Sequence, residues 1–326
     1  MRRARGDERL TDGKRRFWIG VAITLLGGAL WGVSGTSVQY LTTTGGASPA
    51  LVTFLRTLLG GGLFFVFLLL TKRHVVKTMF SCRRTVGALF AFGFALYANQ
   101  LCYAQTVQIT NAGTATVLQM LASAFVMLYV CVTLRRAPRI REAIGLLLAL
   151  LAALFIATQG DIRTLNVPAG GLVWGLLTAL STAVYIIVPK RCGLFERYGS
   201  MPVVGTGMLL GALFALPVYL IQGNTLADAA TVLTAFGGFE WLVFLGGLVV
   251  VGTICGYGLY LHGVAIVGSV KGSLLGAIEP VSATVLAALW LGTAFTGYDL
   301  AGLVLMCVMV AFVTSDEDDA SSDDGG

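Results

Sequence analysis

Two ionisable side chains of opposite charge, Arg56 and Glu279, fall inside long apolar stretches of the sequence. An ionisable residue in a membrane-spanning stretch is costly and commonly marks a functional site. Glu279 lies about nine residues, or ~14 Å along a helix, into its stretch. A carboxyl group at that depth could take up and release a proton, which would couple solute movement to a proton gradient. The alternative is that Glu279 only braces the helix beside Pro280.

Two basic side chains each admit two interpretations. Arg56 could attract an anionic solute, or it could pair with backbone carbonyls where helices meet. Lys271 lies at the start of its apolar stretch, where a long side chain can reach back to water. It could equally contact a carboxylate of the substrate.

Uncharged polar and aromatic residues supply a second group of candidates. Facing lipid, such side chains would cost free energy, so we expect them to face one another or a cavity. As a set they would suit a polar, roughly zwitterionic solute, although any one of them alone could instead form a hydrogen bond that joins two helices. The predicted cavity lining comprises Trp31, Asn99, Tyr103, Gln119, Tyr257, Tyr260 and Lys271, with Tyr97, Gln100 and His262 in the same surroundings.

The composition indicates that a membrane positions these residues. Only 12% of the 326 residues are charged and 56% are hydrophobic, and the 42 glycines lie largely within apolar runs. Close-packed membrane helices use small residues in this way. The net charge of +6 is scattered in short clusters and forms no basic face, which argues against nucleic-acid binding. The six cysteines form no CxxC pair, and we predict neither a metal nor a cofactor.

Ten apolar runs are long enough to be membrane helices, each needing about 20 residues. They lie near 17–40, 49–71, 84–107, 110–134, 140–158, 169–189, 201–222, 239–262, 269–291 and 297–315. Most of the 22 lysines and arginines lie in the segment 1–16 and in every second loop after it. Because such residues stay on the cytoplasmic side, both chain ends are predicted to be cytoplasmic. The acidic tail 316–326 is predicted to be disordered.

The sequence also resembles itself. The pattern GGxxWG occurs at 27–32 and at 170–175, and residues 103–158 align without gaps on 260–315, shifted by 157 positions. A duplication would divide the chain into repeats 17–160 and 169–315. Because each repeat has five helices, the second must be inverted in the membrane relative to the first. Transporters use such inverted repeats to open a midplane site to either side in turn.

Several short segments in this order are similar to a known family. They are the two GGxxWG segments, Arg56, Thr110 to Ala115, Thr158 to Asp161, and Leu274 to Ala283 with Glu279-Pro280-Val281 at its centre. The chain resembles the drug/metabolite transporter superfamily, in particular its EamA-type members, over residues 17–315. The resemblance implies ten helices, a structural role for Arg56, and transport of amino acids or related compounds, often as export.

The chain departs from the usual pattern of that family in two places. Ser123 stands where a proline is usual, and Leu134-Arg135 and Gly292-Thr293 stand where the family has a Gly-Glu pair. Any role of those acidic residues therefore does not transfer to this chain.

Two other classes of function compete with transport. Gly32-Val33-Ser34-Gly35 matches the GxSG of intramembrane serine hydrolases, with His262 as the candidate base. A channel or a membrane scaffold is the other class. The absence of a P-loop excludes ATP-driven transport by this chain alone.

We therefore predict an all-α, multi-pass protein of the cytoplasmic membrane. It would be a secondary transporter rather than an enzyme, with a small-molecule substrate, the lipid bilayer and, if coupled, protons as its partners.

Overall fold

The computed structural model describes residues 2–309, apart from 136, 138–139, 162–165, 269–271 and 273–274. Within that part of the chain the regular structure is entirely helical. We label the principal helices α1 (Arg2–Thr43), α2 (Pro49–Thr71), α3 (Arg83–Ile109), α4 (Ala112–Thr133), α5 (Ile140–Thr158), α6 (Ala169–Arg191), α7 (Ser200–Ile221), α8 (Gly238–Val267), α9 (Ile278–Leu291) and α10 (Gly297–Met309). Short helices at Arg73–Phe80, Leu194–Tyr198 and Leu226–Ala235 connect some of them.

Seven helices are long and apolar enough to cross a membrane: α1, from Lys14 onward, with α2, α3, α4, α6, α7 and α8. The predicted fifth, ninth and tenth spans correspond to helices whose described apolar parts are shorter. The all-helical prediction is confirmed, and the number of ten crossings is compatible with this structure without being settled by it. The predicted tail 316–326 lies outside the described residues.

Local sequence signals fix where several helices begin. Ser48 caps α2, its hydroxyl accepting a hydrogen bond from the backbone N–H of Leu51 at 3.2 Å, and Pro49 occupies the first turn. Asn111 caps α4 in the same way, its Oδ1 accepting from the N–H of Thr114 at 2.8 Å. In contrast, α1 begins at Arg2, well before the predicted start at Phe17, so the basic N-terminal segment continues the helix.

Two helices are interrupted at equivalent positions of the internal repeat. α4 is broken by a turn at Met120 and Leu121, where the N–H of Leu121 bonds to the carbonyl of Leu118. α9 begins after a turn at Ala277, which is Met120 shifted by the same 157 positions. The predicted span 269–291 therefore contains a helix break at Ala277, just before Pro280, a residue that cannot donate to a preceding helical turn.

The helices pack in two crossed groups. α1 packs against α8 and α9, and α6 packs against α3 and α4. Since α1 and α6 carry the two GGxxWG segments, the first helix of each half packs on the third and fourth helices of the other half. We call α1 with α8 and α9 the first seam, and α6 with α3 and α4 the second seam.

Candidate functional site: a polar cavity between the two halves

A small cavity lies between the two halves of the chain, with a volume of about 50 Å³. Six helices besides α6 contribute to its walls, and the broken helices α4 and α9 are among them. It is lined by Trp31, Ser34, Gly35, Arg56, Asn99, Gln100, Tyr103, Gln119, Tyr185, Tyr257 and Glu279. Ligand pockets commonly measure about 300–1,000 Å³. In this conformation the site therefore holds water-sized molecules, and a metabolite needs it to expand.

The helix breaks place two of the polar groups on the cavity. Gln119 is the last residue of α4 before its interruption, and Glu279 lies in the first turn of α9 after the turn at Ala277. Interrupted helices at a shared site are a recurrent feature of transporters.

Arg56 lies in a π-helical turn of α2, and its side chain forms a hydrogen bond with Thr253 in a π-helical segment of α8. Its Nε donates to Thr253 Oγ1 at 3.1 Å, and the Thr253 hydroxyl donates to the carbonyl of Leu248. π-helical turns occur mostly at functional sites. The predicted pairing with backbone carbonyls is absent among the described residues, which leave the two terminal nitrogens of Arg56 without an acceptor. The guanidinium is thus held at Nε and free at its other end.

The lining residues divide into two sets by whether the protein already satisfies their hydrogen bonds. Asn99 donates to Thr182 Oγ1 at 2.5 Å, and the Tyr103 hydroxyl lies 3.0 Å from that of Thr116. These two residues are on the cavity wall, but their polar groups are occupied by neighbouring helices. They therefore act at least partly in holding the helices together.

The side chains of the second set have no hydrogen-bonding partner among the described residues. It comprises Gln100, Gln119, Tyr185, Tyr257, the carboxylate of Glu279 and the indole nitrogen of Trp31. No ion pair joins Arg56 to Glu279 in the described structure. These groups are available to a polar solute that enters the cavity, and bonding to them avoids the cost of about 1–3 kcal/mol of leaving a buried polar group without a partner.

The remaining predicted site residues lie elsewhere. Tyr260 does not line the cavity; its hydroxyl donates to the carbonyl of Gly272 at 3.0 Å, and its ring packs on Trp31 at 4.5 Å. Tyr260 therefore helps to hold the Trp31 ring in position. Lys271 lies outside the described residues.

Sequence reasoning missed Gly35 and Tyr185 and considered Ser34 only as a nucleophile. Tyr185 is an isolated tyrosine in an apolar run of α6, and an isolated polar tip of this kind is the one signal that could have indicated it. Ser34 does line the cavity, whereas His74 and His262 are exposed. The serine hydrolase arrangement thus has no histidine beside its serine.

Known proteins are similar to most of the chain. The EamA-like transporter family matches residues 18–158 and again 169–315. The uncharacterized inner membrane transporter YicL of Salmonella typhimurium is 30% identical over 297 residues, covering 91% of this chain and 95% of its own length. An uncharacterized transporter of Archaeoglobus fulgidus is 24% identical over 229 residues, covering 70% of this chain and 74% of its own.

A solved structure supports the fold alone. It superposes with a TM-score of 0.59 at 18% identity, covering 89% of this chain and 96% of the other. The two matches of one family model, one in each half, show the two-repeat architecture that the internal similarity predicts. The chain is a multi-pass membrane protein that belongs to the EamA-like transporter family.

Proposed function

We propose that the chain is a secondary transporter that carries a small polar metabolite through the central cavity by alternating access. One observation carries the proposal: Arg56 and Glu279 both line the cavity between the two repeats, where they attract each other, and no salt bridge joins either group to a described residue. Buried charges are normally paired, so charges left facing a cavity suit a ligand that pairs with them.

The charges define the expected solute. Arg56 offers N–H donors suited to a carboxylate, and Glu279 offers an acceptor suited to an ammonium group. Trp31, Tyr185 and Tyr257 add aromatic faces that attract cations. A zwitterion satisfies both ends, in agreement with the amino acids and related compounds implied by the family resemblance. Export is the direction that the same resemblance favours.

Alternating access would need the cavity to open to one side of the membrane at a time. The crossed packing of the repeats supports this mechanism, because the cavity lies between two seams, and movement of one seam relative to the other would open it. The breaks in α4 and α9 provide points where the helices can bend next to the solute.

The proposed location is the cytoplasmic membrane, with both chain ends on the cytoplasmic side. The clustering of lysine and arginine in alternate loops supports this orientation. The relative from Salmonella typhimurium is described as an inner membrane transporter, which supports the location.

Glu279→Gln tests the coupling. Purified protein in liposomes should take up amino acids by a saturable net flux that an imposed pH gradient accelerates several-fold. The variant cannot release a proton at position 279, so we expect its flux to lose this dependence on pH gradient while exchange continues.

Glu240→Gln is the matched control, because Glu240 is an acid at the far end of α8 and bonds to Tyr40 instead of lining the cavity. It should keep the response to the gradient. Flux that never saturates would indicate a channel instead of a carrier. An unchanged gradient response in Glu279→Gln would make Glu279 an architectural residue.

A further inference from the structure

The side chain of Gln100 is buried on the cavity wall with all of its hydrogen-bonding capacity unused. It is 5% exposed, and neither Nε2 nor Oε1 has a partner in the described structure. Buried amide groups are nearly always bonded, so one that is not calls for an explanation in terms of a ligand or of function. Because the amide is enclosed, only a molecule that enters the cavity can reach it.

The preceding residue provides an internal comparison. Asn99 has the same amide chemistry on the same helix and also lines the cavity, but its Nδ2 bonds to Thr182 Oγ1 and to the carbonyl of Thr178 at 3.4 Å. The protein therefore uses one of two adjacent amides to join α3 to α6 and leaves the other unoccupied. Hydrogen-bonding partners for a buried amide are therefore available next to α3 at position 99, but the structure provides none at position 100.

A second unoccupied donor lies on the opposite half of the wall. Nε1 of Trp31 is buried without an acceptor. The indole is held by Tyr257, with ring centroids 5.0 Å apart, by Tyr260, and by Gly256, whose missing side chain makes room for it. The ring that carries this N–H lines the cavity and is held in place by these contacts.

We propose that Gln100, assisted by the indole N–H of Trp31, determines the specificity of the cavity by selecting solutes with an uncharged carboxamide group. The inference rests on the proposed function and adds to it the substrate class. Arg56 and Glu279 serve the charged ends of such a solute, and Gln100 binds its uncharged amide.

The chemistry of the two side chains favours a carboxamide over other groups. The Gln100 amide offers one acceptor oxygen and an NH₂ donor side by side, and a second amide matches this pair with donor and acceptor reversed. The Trp31 N–H can donate to the remaining lone pair of the solute oxygen. An apolar solute of the same size would leave all these groups unsatisfied, so the site rejects it.

A pair of nearly isosteric solutes tests the selection. L-Glutamine and L-methionine have similar length, and only glutamine has the amide. In liposomes, we expect wild-type protein to exchange glutamine with a kcat/KM at least about tenfold above that for methionine, since buried polar groups left unpaired discriminate strongly. Gln100→Met should bring the ratio to within about twofold of one. Trp31→Phe, which keeps a ring and removes the donor, should lower the ratio to an intermediate value.

Gln39→Met is the matched control, because Gln39 lies outside the cavity lining and both ends of its buried amide are bonded, Nε2 to Thr293 Oγ1 and Oε1 to the N–H of Ala112; the variant should lower thermal stability and keep the wild-type ratio. If Gln100→Met does not fold, Gln100→Glu keeps the size of the side chain, lacks the NH₂ donor and should lose the ratio as well. A ratio that is near one in wild type, or that persists in these variants, overturns the inference. So does a wild-type protein that carries other solutes and neither probe. Wild-type protein that exchanges no solute at all would instead overturn the proposed function.

Discussion

The two seams are equivalent in the repeat, yet they are built differently. In the first seam, backbones nearly touch: a Cβ atom on Gly27 would lie 2.5 Å from the backbone nitrogen of Tyr260, and one on Gly263 would lie 2.8 Å from that of Thr24. In the second seam, a Cβ atom on Gly175 would meet only the side chain of Leu118.

The two seams also differ in where side-chain hydrogen bonds join their helices. The second seam has side-chain hydrogen bonds along its middle, from Asn99 to Thr182 and between Thr106 and Thr178 at 3.4 Å. The described residues of the first seam have such bonds only near one end, where the Tyr40 hydroxyl donates to Glu240 at 2.7 Å and Gln39 donates to Thr293 at 2.9 Å. Sliding α1 along α8 breaks few hydrogen bonds. We therefore infer that the first seam moves during transport and that the second is the stable support.

Gly27→Ala should break the first seam and have the largest effect. The added carbon meets backbone, which cannot rotate away, so we expect a loss of about 1–3 kcal/mol in stability and loss of exchange activity. Gly175→Ala should cost less, because the Leu118 side chain can change rotamer. Thermal unfolding of purified variants measures both.

Gly62→Ala on α2 is the control, because no atom lies within 4 Å of the position of its Cβ. Its stability should stay within about 0.5 kcal/mol of wild type. Equal effects of Gly27→Ala and Gly175→Ala would remove the contrast between the seams.

Asn99→Leu should weaken the second seam to an intermediate extent. Hydrogen bonds between membrane helices contribute about 0.6 kcal/mol on average and up to about 1.7 kcal/mol, and the loss should be in this range. Combined with Thr182→Val in a double-mutant cycle, the two changes should not be additive. Additive losses would show that the bond between Asn99 and Thr182 contributes nothing to the seam.

Tyr40→Phe should have the smallest effect on stability. It removes the bond to Glu240 but keeps the ring stacked on Trp290, with centroids 5.6 Å apart. That bond should contribute about 0.5–1.5 kcal/mol to keeping this end of the first seam closed. Its loss should therefore raise the fraction of molecules in which this end is open about two- to tenfold. Faster labelling of Ser34→Cys from that end by a thiol reagent would measure this, and an unchanged rate would show that Tyr40 is not part of a closure.

The helical class, the repeat and much of the cavity could be predicted from sequence because each depends on a local cost. A polar side chain in an apolar run must avoid lipid, and this signal indicated Trp31, Gln119 and Tyr257 as candidates for the cavity lining and Glu279 as a candidate for proton coupling; all four line the cavity described above. Sequence alone could not tell Asn99 from Gln100, since the difference depends on whether Thr182 of another helix lies within reach. Pro280 gives a local sign of the break at Ala277, whereas the equivalent break at Met120 and Leu121 has no proline beside it and could not be predicted from sequence.

Accessibility of position 34 on both sides of the membrane tests most directly whether this cavity is the transport route. Ser34→Cys lies on the cavity wall and is 3% exposed as serine, so labelling requires the cavity to open. Intact cells and inside-out vesicles would be treated with an impermeant thiol reagent, and mass spectrometry of the peptide containing position 34 would separate its label from that on native cysteines. We predict labelling from either side, slowed from both by a transported solute. Labelling from one side only, unaffected by solute, would contradict the account.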